Sequence, residues 1–94
     1  MKQWFLDFSG CVTLAQVHSV LGRGLPFSPY YGGNLSALWD CMRDMAGEPC
    51  VIHIRGLQRY ARRGQAEAAY VEKMVDIFHD VEREPPEVRV ILEE

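Results

Sequence analysis

The stretch from Tyr30 to Cys41 is the part of the chain whose residue types and spacing indicate a chemical role. This recognition segment places two tyrosines and two glycines before a predicted helix that carries Trp39 and Asp40. It has none of the patterns of a phosphate loop, a metal site or a catalytic nucleophile. Aromatic side chains around a carboxylate are instead typical of the centre of a protein–protein interface. The segment therefore predicts binding of another macromolecule, with Asp40 as its main contact.

A second set of acidic side chains follows the helical period later in the chain. Acids recur every four residues at Glu72, Asp76, Asp80 and Glu84. Like charges at this spacing repel one another by about 0.2–0.5 kcal/mol per pair in an isolated helix. Two interpretations stay open. The row is either a solvated face with basic neighbours that relieve the repulsion, or a surface for a basic partner.

The histidines and cysteines do not predict an enzyme. No two of the three cysteines have the spacing of metal ligands. Cys50 and His53 lie on a predicted strand, where a separation of three residues directs them to opposite faces. The step Gly32-Gly33 lacks the longer glycine pattern and the lysine of a phosphate loop. We therefore expect no catalytic residue, no metal and no cofactor.

A short basic stretch contains Arg55, Arg59, Arg62 and Arg63 with no acid between them. Solvated arginines are the ordinary interpretation, and RNA contact is the alternative. The stretch offers only Tyr60 as an aromatic platform, and the chain carries a net charge of −3. We expect the arginines to orient a partner or to form internal ion pairs, and we expect no direct contact with nucleic acid.

Hydrophobic patterning predicts the elements that position these residues. Thr13 and Gln16 form a capping box at the start of one helix, and Asn34 is a suitable N-cap for the next. The predicted order is a strand over Gln3–Phe8, a helix from Thr13 to about Leu21, a helix from Asn34 to about Ala46, a strand over Cys50–Ile54, a short helix or irregular turn over Leu57–Arg63, a helix over Gln65–Glu84 and a strand over Val88–Leu92. Three strands separated by helical segments favour a small α/β fold with a mainly parallel sheet.

Each predicted helix has an apolar side. In the helix after Asn34, Leu38 and Met42 follow the helical period, whereas Asp40 lies on another side with Trp39 at the boundary. The first helix is expected to bury Leu14, Val17, Val20 and Leu21, and the last to bury Tyr70, Met74, Ile77, Phe78 and Val81. Asp40 is therefore predicted to be available for binding rather than needed for the core.

Length and composition restrict the class of protein. Residues 1–94 are predicted to form one domain, and 48% hydrophobic and 24% charged residues are typical of a globular protein. The apolar run from Trp4 to Phe8 is too short for a signal peptide or a membrane span. An odd number of cysteines without an export signal indicates reduced thiols. We therefore expect a cytoplasmic protein.

The recognition segment resembles the barstar family, intracellular inhibitors of barnase-type guanyl-specific ribonucleases. The family pattern is Tyr-Tyr-Gly-acid-Asn-Leu-acid-Ala-Leu-Trp-Asp-Cys, and this chain matches it except at Gly33 and Ser36. The similarity continues at Val17-His18, at the proline after the second helix, and at Phe78-His79-Asp80. It covers the whole chain.

This resemblance implies a barstar-like α/β fold, with a small three-stranded parallel sheet packed against helices in two layers. It also implies that the second helix and the preceding loop enter the ribonuclease active site. Asp40 matches the aspartate that takes the place of a substrate phosphate, Tyr30 a stacking tyrosine, Trp39 a flanking contact, and Asp80 an acid that pairs with an enzyme arginine. The residues expected to contact the partner are Tyr30, Tyr31, Gly32, Asn34, Ser36, Trp39, Asp40, Asp44 and Asp80.

The departures from the family pattern concern charge. Gly33 and Ser36 replace acids, and Arg43 and Asp44 lie in a segment that is neutral in barstar. We expect an inhibitor of a secreted ribonuclease, monomeric when free and acting as an immunity-type protein. The alternative is a barstar-fold interaction or regulatory module, or an immunity protein for a different toxin, because changes in surface charge alter specificity.

Overall fold

The computed structural model describes residues 2–27, 31–45, 49–83 and 88–93. Within these ranges strands and helices follow one another in the predicted order. They are β1 (Lys2–Asp7), α1 (Leu14–Gly24), α2 (Leu35–Met45), β2 (Cys50–Arg55), α3 (Leu57–Ala61), α4 (Gln65–Glu82) and β3 (Val88–Glu93). The sequence left Leu57–Arg63 as either a short helix or an irregular turn, and the structure shows a short helix there, α3. The predicted ends at Ala46 and Glu84 lie outside the described residues.

The three strands form one parallel sheet in the order β1-β2-β3. Lys2 pairs with Cys50 and Cys50 with Val88, and this register continues along the strands. The carboxyl ends of β1, β2 and β3 therefore lie side by side at one edge. The predicted α/β class with a small parallel sheet is confirmed.

The two faces of the sheet differ because side chains alternate along each strand. Leu6, Ile52 and Ile54 are buried on the face toward the helices, where α1 packs against β1 and α4 against β3. The other face is open to solvent at Phe5, which is 70% exposed, and its ring stacks on His53 at a centroid distance of 4.5 Å. The result is a layer of helices on a sheet.

The helices bury most of the residues predicted for the core, including Leu38, Met42, Met74 and Phe78, each fully buried. Leu14 is an exception, since it is 37% exposed at the first position of α1. The buried side of α1 consists of Val17, His18 and Leu21. The prediction for Leu14 was therefore wrong, because a first-turn residue can extend beyond the sheet that the rest of the helix covers.

Gly22 and Gly24 lie inside α1, which the sequence predicted to end at about Leu21. A Cβ atom at Gly24 would overlap the side chain of Leu6 on β1, and one at Gly22 would lie 3.3 Å from the ring of Tyr31. The glycines therefore permit close approach of α1 to the sheet and to the recognition segment. Thr13 and Gln16 form the predicted capping box at its start.

Candidate protein-binding site

The start of α2 is fixed by Asn34. Its side-chain oxygen accepts a hydrogen bond of 2.8 Å from the backbone N–H of Ala37. Its carbonyl oxygen accepts the bond from Leu38 N–H at 2.9 Å. Gly33, one residue earlier, has φ +67°, a conformation that L side chains rarely adopt. The predicted N-cap is confirmed, and the glycine gives the chain the turn by which it enters the helix.

The exposed side of α2 carries Asp40, as the sequence predicted. Ser36, Asp40 and Asp44 are all exposed and lie four residues apart, whereas Leu38 and Met42 are fully buried. Because residues four apart lie on one side of a helix, Ser36, Asp40 and Asp44 form a short acidic stripe along α2. Neither Asp40 nor Asp44 is needed to fill the core.

Trp39 is half-buried at the boundary between these two sides. The guanidinium of Arg43, one turn later, lies 5.5 Å from the centre of its indole ring. A cation over an aromatic ring is attracted by about 0.5–1 kcal/mol at exposed sites. Arg43 therefore places a positive charge over the aromatic surface, beside the acidic stripe.

Tyr31, in the recognition segment, is half-buried and packs against α1. Its hydroxyl lies 2.5 Å from Nδ1 of His18, and its ring contacts that of Phe27 at a centroid distance of 5.0 Å. Burial raises the pKa of Tyr31 above its ordinary value, so its hydroxyl stays protonated. Tyr31 anchors the segment to α1. Tyr30, the other predicted contact, lies outside the described residues.

The sequence did not identify His18 as part of this site. It is 5% exposed, and its Nε2 lies 2.6 Å from the hydroxyl of Tyr70 on α4. Burial lowers the pKa of His18. A neutral imidazole has one donor and one acceptor nitrogen, so one tyrosine hydroxyl donates to the ring and the other accepts from it. His18 thus joins the recognition segment, α1 and α4 by side-chain hydrogen bonds.

The acidic row on α4 lies on the helix that packs against α2. Asp80 is exposed, and Arg83 approaches its carboxylate at 3.6 Å. Such an exposed pair contributes at most about 1 kcal/mol to stability. Asp80 can therefore exchange Arg83 for a cation on a partner at little cost. The two helices that carry the predicted acids are neighbours in the fold.

A shallow depression of about 310 Å³ lies between α1 and the recognition segment. His18, Phe27, Tyr31, Gly33 and Arg23 contribute to its lining. Its lining thus includes two aromatic rings, an imidazole and one guanidinium.

Comparison with known proteins identifies the family. Residues 1–93 match the sequence model described as Barstar (barnase inhibitor). The chain belongs to the barstar family. A relative from Bacillus subtilis (strain 168), named "Putative ribonuclease inhibitor YrdF", is 24% identical over 94 residues, which is 99% of this chain and 100% of the relative.

Within the described residues no cluster of three histidine, cysteine or acidic side chains is arranged to hold a metal ion. None of the described helices is long and apolar enough to cross a bilayer. Burial, and then the charges of Asp44 and Asp40, raise the pKa of Cys41, the last residue of the barstar motif, so its thiol is poorly suited to act as a nucleophile.

Proposed function

We propose that this barstar-family chain is an intracellular inhibitor of a barnase-type ribonuclease. It acts by occupying the active site with α2 and the preceding loop, not by catalysis. The observation that carries the proposal is the exposed carboxylate of Asp40 on a capped helix whose opposite side is fully buried. Such a helix presents the carboxylate without having to order itself on binding, which reduces the entropic cost of association.

The chemistry of the target supports this role for Asp40. A ribonuclease active site collects cationic side chains to hold a substrate phosphate, and a carboxylate can make charge-assisted hydrogen bonds to the same donors. Asp80 is exposed on the neighbouring helix, and we propose that it pairs with an arginine at the edge of such a site. Trp39 and the depression next to Tyr31 would contact the surrounding surface.

The charge of the surface supports a target other than barnase itself. Gly33 and Ser36 are found where the family pattern has acids, and Arg43 lies over Trp39. These three changes make the surface less negative than the family pattern, and Asp44 offsets one of them. We therefore propose a ribonuclease with a less basic active-site rim. The second candidate is an immunity protein for a different toxin, or a regulatory module with the same fold.

The decisive experiment is a titration of barnase-type ribonucleases with the protein, followed by RNA cleavage. We expect stoichiometric inhibition by the native chain and strongly reduced inhibition by the Asp40→Ala variant. Removing one partner of a desolvated charge pair weakens binding by about 2–5 kcal/mol, a range based partly on the barnase–barstar complex itself.

A matched control separates the role of Asp40 from that of net charge. Glu93→Ala removes one exposed acid from the end of β3, outside both acidic helices. We expect it to inhibit like the native chain. Equal loss of inhibition in both variants would show that the inhibition depends only on the net charge of the protein. Absence of inhibition by the folded native protein would favour the second candidate.

A further inference from the structure

The side of the sheet away from the helices carries apolar side chains that the proposed inhibitor function does not use. Side chains alternate along a strand, and Leu6, Ile52 and Ile54 are buried on the helix side. The residues that alternate with them form the other side, which we call the open face. Phe5 is 70% exposed there, and Ile91 is 41% exposed. Large apolar side chains that are exposed together are typical of an interaction surface.

The apolar side chains form the middle row of the open face. Phe5, His53 and Ile91 are register partners across β1, β2 and β3. The rings of Phe5 and His53 are stacked, with an angle of 6° between their planes. The imidazole Nε2 of His53 lies 3.0 Å from the side-chain oxygen of Gln3, which fixes the orientation of the ring. The middle row therefore presents a surface that needs little ordering on binding.

The rows on either side of the middle row carry charges of opposite sign. The row nearer the amino ends of the strands has a single formal charge, which is positive, and consists of Gln3, Val51 and Arg89. The row nearer the carboxyl ends has two acids and one arginine, so it is negative, and consists of Asp7, Arg55 and Glu93. Charge therefore changes sign along the strands, with the apolar row between the two charged rows.

This pattern is complementary to a second copy of itself in one orientation. A two-fold axis that crosses the strands at the middle row makes the strands of the two copies antiparallel and stacks the apolar rows on each other. Glu93 of each copy then faces Arg89 of the other. A two-fold axis along the strands would instead place Asp7 opposite Glu93 and Arg55 opposite its own copy. Like charges directly opposite each other disfavour that parallel arrangement.

We propose that the open face binds a second copy of this chain, with the two sheets stacked face to face and their strands antiparallel. Three strands of six residues span roughly 14 Å by 20 Å at the spacings of a sheet. A stable interface buries about 800 Å² on each partner. The open face is smaller, so the dimer is weak and reversible, and the dilute chain is the monomer expected from the sequence. The helices lie on the other side of the sheet, so the acidic stripe on α2 stays accessible in the dimer.

Sedimentation velocity of the full chain, from micromolar to millimolar concentration, tests this proposal. We expect a reversible equilibrium between monomer and dimer. Phe5→Thr removes the exposed ring but keeps a residue that favours strands. It should weaken dimerisation about tenfold or more, because the ring is a large aromatic contact in the middle row. Val12→Thr is the control, because Val12 is 52% exposed but lies outside the sheet, before α1. It should leave dimerisation unchanged.

Exchange of the two charges on β3 tests the antiparallel orientation. Arg89→Glu alone and Glu93→Arg alone each place like charges opposite each other across the dimer, so each should weaken dimerisation. The double variant restores the pairs in reverse order, and we expect it to dimerise more tightly than either single variant. A double variant that dimerises no better would overturn the antiparallel arrangement. A monomer at every concentration, or equal losses in Phe5→Thr and Val12→Thr, would overturn the proposal as a whole.

Discussion

Leu38 and Asp40 are two residues apart on α2 and point to different environments. Leu38 is fully buried, and Asp40 is exposed. Leu38→Ala removes buried methyl groups and leaves a cavity, so we expect it to lower the free energy of unfolding by about 2–5 kcal/mol. Asp40→Ala should change it by no more than about 0.5 kcal/mol.

Urea unfolding of both variants checks this contrast. The predicted order reverses for binding, because Asp40 is proposed to touch the ribonuclease and Leu38 is not. A large decrease in stability for Asp40→Ala would show that the carboxylate has a structural role, and would contradict its assignment to the binding surface.

The buried imidazole of His18 makes stability depend on pH. Neutral His18 shares hydrogen bonds with Tyr31 and Tyr70, and burial lowers its pKa in the folded state. Protonation would turn both ring nitrogens into donors, and one tyrosine hydroxyl would lose its acceptor. The unfolded chain then binds the proton more readily than the folded chain does. The contribution of His18 is fully present above the unfolded pKa of about 6.5 and is lost as pH falls through the lowered folded value.

Free energies of unfolding measured from about pH 8 down to about pH 5 test this dependence. The His18→Gln variant keeps a donor and an acceptor but does not titrate. Subtracting its profile from that of the native chain isolates His18 from the other histidines. We expect the difference to decrease with falling pH, and a flat difference would contradict the prediction.

At the scale of the element, α2 is held at both its start and its buried side. Asn34 caps its first turn, and Tyr31 ties the residues before it to α1 and α4 through His18. Gly22 permits the ring of Tyr31 to approach α1 closely. The helix therefore presents its acidic stripe from a fixed position, as a pre-organised binding element requires.

Loss of the cap should loosen this element. Asn34→Ala removes the acceptor for Ala37 N–H, and we expect a destabilisation of about 1 kcal/mol. Asn34→Asp retains the acceptor and serves as the matched control. Hydrogen exchange of the first turn of α2 measures the local effect. Equal exchange rates in the native chain and in Asn34→Ala would show that the cap is not what holds this turn.

At the scale of the molecule, charge is distributed unevenly. The exposed acids of α2 and α4 lie on neighbouring helices, whereas Arg55, Arg59 and Arg62 lie at the carboxyl edge of the sheet. If the acidic surface meets a cationic active site, long-range attraction accelerates encounter. Salt screens this attraction over about 10 Å at 0.1 M ionic strength.

We therefore expect the association rate with a ribonuclease to fall by an order of magnitude or more from low to high salt, with a smaller change in the dissociation rate. Stopped-flow mixing at several ionic strengths measures both. Asp44→Ala should flatten the salt dependence more than Ser36→Ala, which removes no charge. An association rate that does not depend on salt would contradict electrostatic steering by this surface.

The sequence by itself determined the features that depend on local pattern. Hydrophobic period and capping residues predicted the elements, the parallel α/β class, the exposure of Asp40 and the N-cap at Asn34, and the recognition segment indicated the family. These depend on residues a few positions apart, whose relation is set by helix and strand geometry.

Only the tertiary structure decided how distant residues meet. His18 and Tyr70, 52 residues apart, form a hydrogen bond, and Gly22 and Gly24 stay helical because α1 packs closely on Tyr31 and Leu6. The sequence treated the arginine stretch as a surface patch, but the sheet register places it next to Asp7 in a cleft. Such contacts depend on how elements pack together, and no local pattern encodes that arrangement.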